Sequence, residues 1–113
     1  MDLAIIDNLI QTLERELQEN SQLLDLAHKK REIITSGQSK ELTPINLLEQ
    51  NCIKNIIEQE KLREVCIIQL QKNLGIGSIT NINTVIESID QEKAKELKDL
   101  ASKLKNVLSQ LKR

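Results

Sequence analysis

Phenylalanine, tyrosine and tryptophan are all absent from this 113-residue chain. Without aromatic rings it has no stacking platform for bases, and its apolar positions fall almost wholly to Leu and Ile, with Val and Ala in support. An excess of charge of either sign is also missing. The 16 Lys and Arg against 17 Asp and Glu leave a net charge of -1, which gives no general attraction to phosphate backbones or anionic lipid. Long apolar runs are missing too, since no stretch approaches the roughly 18 residues of a membrane span. The opening MDLAIID places Asp2 and Asp7 around a very short apolar run, where a secretory signal needs a basic start and a longer apolar core. A cytoplasmic protein with no nucleic-acid partner and no membrane insertion is therefore expected. Glycine (3) and proline (1) are scarce, a composition far from disorder and close to that of long amphipathic helices. At this length one domain is expected, burying about two thirds of its unfolded surface, so a large enclosed active-site cavity is not.

What is present is heptad spacing. Leu3, Ile6, Ile10, Leu13, Leu17, Asn20, Leu24, Ala27, Arg31 and Ile34 step by three and four without a break, the seam of an amphipathic helix. Ile5, Leu9, Leu23, Leu26 and Ile33 widen it to a face, as a helix touching two neighbours requires. Asp2 and Asp7 near the start and Lys29, Lys30 and Arg31 near the end suit the helix dipole, and Gly37 supplies a stop. Thr43-Pro44 reads as a cap followed by proline at the first helical position. The second helix carries Ile45, Leu48, Cys52, Ile56, Ile67, Leu70 and Leu74, with Ile53, Ile57 and Leu62 alongside, and Gln59 and Arg63 interrupting the middle. Thr84 with Glu87 has the capping-box pattern of a short helix, and Asp90 can cap a last helix with the seam Ala94, Leu97, Ala101, Leu104, Leu108 and Leu111, broadened by Leu100 and Val107. The expected fold is all-α, with helices over about 2–36, 44–74, 81–89 and 91–112. The two long helices form an elongated antiparallel hairpin, and the short and C-terminal helices complete a three- or four-helix bundle.

The long first helix ending in LLDLAHKKREIITSG, the return through ELTPINLLEQN, the EQEKLRE segment, QLQKNLGIG and the tail TNINTVIESIDQEKAKELKDLASKLKNVLSQLKR together resemble the FlgN family of flagellar export chaperones across essentially the whole chain. The resemblance implies a chaperone that binds the C-terminal helical segments of hook–filament junction proteins (FlgK- and FlgL-like). It would keep them from assembling early and deliver them to components of the flagellar type III export gate. It implies no cofactor.

Among individual residues, the last helix offers the candidate client-binding set Leu97, Leu100, Leu104, Val107, Leu108 and Leu111, because its apolar face is wide and its outer residues are rich in lysine. The competing reading is that this face simply packs on the first two helices. Arg31 and Arg63 are expected to lay their stems along the core with their heads in water, the alternative being a polar contact shared by the two long helices. Asn20 reads as a register-setting residue, and Glu14 and Glu16 as solvated surface. Cys52 and Cys66, fourteen residues apart on one helix, are separated by about 21 Å and cannot form a disulfide with each other. His28 sits in a string that loosely resembles histidine phosphotransfer domains, but Arg31 and Glu32 stand where that family wants Lys and Gly. No catalytic set can be built around a single His, and no metal-ligand spacing is present. A bundle adaptor without an export role and a homo-oligomer remain open alternatives.

Overall fold

A computed structural model describes residues 3–74 and 91–111 of the chain. Three α-helices account for nearly all of them: α1 (Leu3–Ser36), α2 (Leu42–Leu74) and α3 (Gln91–Leu111). The short helix expected over 81–89, with its Thr84–Glu87 capping box and the Asp90 cap, lies outside the described residues.

The end of α1 follows from one glycine. Gly37 has φ 76°, a left-handed conformation that costs a residue without a Cβ little. It lets Gly37 N donate to Ile34 O and Gln38 N donate to Ile33 O, the paired bonds of a Schellman cap. A single 3₁₀ turn (Ser39–Glu41) then leads into α2. That helix begins at Leu42, two residues earlier than the Thr43-Pro44 pattern suggests. Pro44 is consequently its third residue, still within the first turn where its missing N–H has no intrahelical acceptor to lose. Lys29, Lys30 and Arg31 lie more than a turn short of Ser36, so α1 has no basic residue in its last turn and no acidic one in its first. The expected dipole compensation is weak, since the effect fades within one turn.

Two seams on α1, not one broad face, organise the molecule. The side chains Thr12, Glu16, Glu19, Leu26, Lys30 and Ile33 face α2: Thr12 lies beside Cys66, Glu16 pairs with Arg63 and Lys30 with Glu49, Asn55 donates to Glu19, and Leu26 and Ile33 share a groove with Ile45. Low numbers on α1 meet high numbers on α2, so the hairpin is antiparallel. The second seam, Ile6, Ile10, Leu13 and Leu17, packs with Leu97, Leu100 and Leu104 of α3 in one core that also holds Cys66 and Leu70. Lys93 lies against Asp7 and Leu104 near Leu13; α3 therefore runs in the same direction as α1. Leu26 and Ile33, which in sequence merely widen the first helix's face, thus lie at the hairpin interface, and Ile6, Ile10, Leu13 and Leu17 of the main seam share the core with α3.

Helix α2 departs most from expectation. Its inward line is Ile45, Glu49, Cys52, Ile56, Gln59, Arg63, Cys66 and Leu70, all buried or half-buried. These positions step by four and three straight through the two polar residues that seemed to interrupt the stripe. Leu48, Ile53, Ile57 and Leu62, placed in or beside the stripe from sequence, are instead exposed, as are Leu47, Val65 and Ile68. Aliphatic residues occur on several sides of α2, so apolarity alone does not fix which side turns inward. The bundle measures 56 × 20 × 20 Å, with its three-helix core at one end and a two-helix hairpin at the other.

Candidate functional site

A polar layer crosses the hairpin next to the three-helix core. Arg63 Nη1 lies 2.9 Å from Glu16 Oε2, and the Glu16 side chain is only 3% exposed while that of Arg63 is 32% exposed. Burial pushes the Glu16 carboxyl above its usual range, Arg63 opposes the rise, and nearby Glu60 adds to it. Glu16 Oε1 and Gln59 Oε1 are buried without a hydrogen-bond partner among the described residues. The sequence reading of Glu16 as solvated surface is therefore wrong. Glu16 falls seven residues from both Leu9 and Leu23, and seven residues is nearly two full helical turns, which was the signal for an inward position. Arg63 is the polar contact shared by the two long helices, whereas Arg31 is exposed. Asn20 is buried, but its amide donates to Glu16 O of its own helix at 2.7 Å, and among the described residues it makes no hydrogen bond to a neighbouring helix.

The six candidate client-binding residues divide into two groups. Leu97, Leu100 and Leu104 are buried in the core shared with α1 and α2. Val107 and Leu111 are half-buried and Leu108 is 37% exposed, all on the C-terminal part of α3. Leu104 and Leu108 meet Leu13, Arg63, Ala101, Lys105 and Ser109 around an open depression of about 410 Å³. It adjoins the polar layer through Arg63. The outer face of α3 exposes Lys95, Lys98, Lys103 and Lys105 beside Glu92, Glu96 and Asp99, and Asp99 holds Lys103 at 3.1 Å. At the far end of the hairpin a larger groove of about 760 Å³ has an apolar floor of Leu26, Ile33, Pro44, Ile45 and Leu48.

Chemistry is sparse by comparison. Cys52 and Cys66 are buried, free and on the same helix. Burial raises both thiols; Glu19 and Glu49 raise Cys52 further, while the Thr12 hydrogen bond partly offsets the rise at Cys66. Both are held as neutral, poorly nucleophilic thiols. His28 is exposed on α1 in a shallow depression with Arg31, Glu32, Thr35 and Ser36. Among the described residues no group of three or more His, Cys, Asp or Glu is placed to hold a metal ion, and no helix is long and apolar enough to cross a membrane.

Searches of the curated proteins and of the solved structures return no match to the chain. The arrangement is an all-α hairpin with a third helix seated on one end, lightly covered apolar residues at that helix's far end, and a polar layer between. The family model described as "FlgN protein" matches residues 1–113, the whole chain, and the chain belongs to the FlgN family of flagellar export chaperones.

Proposed function

We propose that this chain acts in the cytoplasm as a type III export chaperone for hook–filament junction proteins. It binds their C-terminal helical segments, prevents premature assembly and hands them to the export gate. The observation that carries the proposal is the whole-chain family match together with the lightly covered C-terminal part of α3, where Val107 and Leu111 are half-buried and Leu108 is exposed in the depression it shares with Leu13 and Arg63. An amphipathic client helix laid in such a groove uses the helix-in-groove mode. Leu97, Leu100 and Leu104 contribute only if the client displaces α3 from the hairpin, because α3 already uses them. A third helix of about 20 residues is marginal alone and depends on its packing, which makes such an exchange feasible. Each Leu or Ile newly buried is worth about 1.5–3 kcal/mol gross, reduced by the ordering of the client; micromolar to submicromolar affinity follows. The double substitution Leu108→Ser/Leu111→Ser is expected to weaken binding of a junction-protein C-terminal segment tenfold or more in calorimetry, with helicity unchanged. Wild-type affinity in that variant would remove these residues from the site.

A further inference from the structure

The α3-facing seam of α1 is longer than α3. Helix α1 has 34 residues and α3 has 21, a difference of about 20 Å at 1.5 Å per residue. Along the seam, Ile6, Ile10 and Leu13 are buried, Leu17 packs against the core and Asn20 is buried, but then Leu24 and Ala27 are only half-buried, Arg31 is exposed and Ile34 is 60% exposed. Helix α2 repeats the pattern. Ile67 packs on the core shared with α3, and on the same line, seven and fourteen residues back, Glu60 is exposed and Ile53 is 46% exposed, with Ile57 beside it at 47%. The sequence thus writes a third-helix seat along the hairpin, and α3 fills only its first part.

We infer that the unfilled part of this seat, floored by Leu24, Ala27 and Ile34 and walled by Ile53 and Ile57, takes a helix of the client lying in line with α3. This rests on the export-chaperone reading for the identity of the partner. The continuity with the seat of α3 specifies a helix with Leu or Ile at heptad spacing. Two charges specify its flanks. Arg31 stands in the α1 seam and Glu60 in the α2 line, of opposite sign, and neither makes an ion pair among the described residues. Arg63 lies opposite Glu16 and Glu49 opposite Lys30, so Glu60 is roughly level with Glu19 and about 18 Å from Arg31 along the groove. The occupant therefore carries a carboxylate near one end of its contact and a cation near the other, which orients it as well as holding it.

Fluorescence titration of a labelled junction-protein C-terminal segment tests the placement on the full chain. Ile34→Glu/Ile53→Glu changes only exposed residues and is expected to lower affinity tenfold or more with the helical circular dichroism retained; Ile34→Ser/Ile53→Ser serves if the acidic variant does not fold. Undiminished affinity would overturn the placement while leaving the chaperone reading intact. Should the segment not bind wild-type protein at all, that reading fails instead. A designed helical peptide with a Leu heptad, a Glu at one end and a Lys at the other then tests the groove alone. It should bind several-fold more tightly than its Gln-flanked counterpart, lose that advantage with Arg31→Gln, and lose binding with Ile34→Glu/Ile53→Glu. Equal binding to all forms would reject the groove, and a wild-type dimer in sedimentation that the Ile34→Glu/Ile53→Glu variant abolishes would assign it to a second copy of the chain.

Discussion

At the scale of single residues, the Glu16 carboxylate is buried between the long helices. Taking one charge from water into a helix interface costs several kcal/mol and is recovered only through its partner. Arg63 is that partner, and it keeps contact with solvent. Removing Arg63 alone, as in Arg63→Met, is expected to destabilise the fold by about 2–3 kcal/mol, less than the loss for a fully buried pair because the arginine is partly solvated. Glu16→Met/Arg63→Met together should be close to neutral, since neither charge is then stranded. Urea unfolding of the three proteins checks this, and additive losses would show that the two residues do not act as a pair. The pH dependence has a definite sign. Because the folded Glu16 carboxyl titrates above 4.5, the native state binds more protons than the unfolded chain just above that pH. Its contribution to stability therefore falls as pH rises through that window. Glu16→Gln is expected to lack this fall, so its stability relative to wild type should grow between pH 4.5 and neutrality. A constant difference across that range would contradict the raised titration.

At the scale of elements, α3 divides into an anchored half and a lightly held half. Leu97 is fully buried (0% exposed) at the centre of the core, whereas Leu108 faces the open depression with Arg63 and Ser109. Truncating Leu97 to Ala should cost about 2–5 kcal/mol through lost burial and a residual cavity. The same truncation at Leu108 should cost less than about 1 kcal/mol, because much of that side chain is already in water. Denaturant midpoints give both values, and equal losses would mean that Leu108 is as structural as Leu97. The seam of α3 was legible in sequence because its apolar residues fall on a single side of an otherwise charged helix, and helical periodicity alone then fixes the inward face. In α2 the same rule pointed to Leu48, Ile53 and Ile57, since aliphatics there surround the helix and the true inward line includes Glu49, Gln59 and Arg63.

At the scale of the whole molecule, stability is unevenly distributed along the 56 Å long axis. Three helices contribute to the core around Ile6, Leu9, Leu70 and Leu97, while around Leu26, Ile33 and Ile45 the described residues that line the open groove come from α1, α2 and the connection between them. Local opening is cheapest where the fewest apolar contacts must be broken. Backbone amides of residues 27–36 and 42–50 are therefore expected to exchange with deuterium at least tenfold faster than those of 6–17 and 63–72. Uniform protection along the hairpin would imply that the polar layer couples both ends into one cooperative unit.

Helix lengths, the Gly37 stop, the reach of α3 and the family resemblance follow from the order of residues alone, because backbone propensity and periodicity are local properties. The fourteen-residue separation of the two cysteines on one helix is of the same kind. Which seam of α1 meets α2 and which meets α3, the burial of Glu16 against Arg63, and the exposure of Ile34 and Ile53 required the tertiary arrangement. Each depends on how two or three helices share one interface: a heptad pattern states that a face will be covered, and only the neighbour's position and length decide by what and for how far.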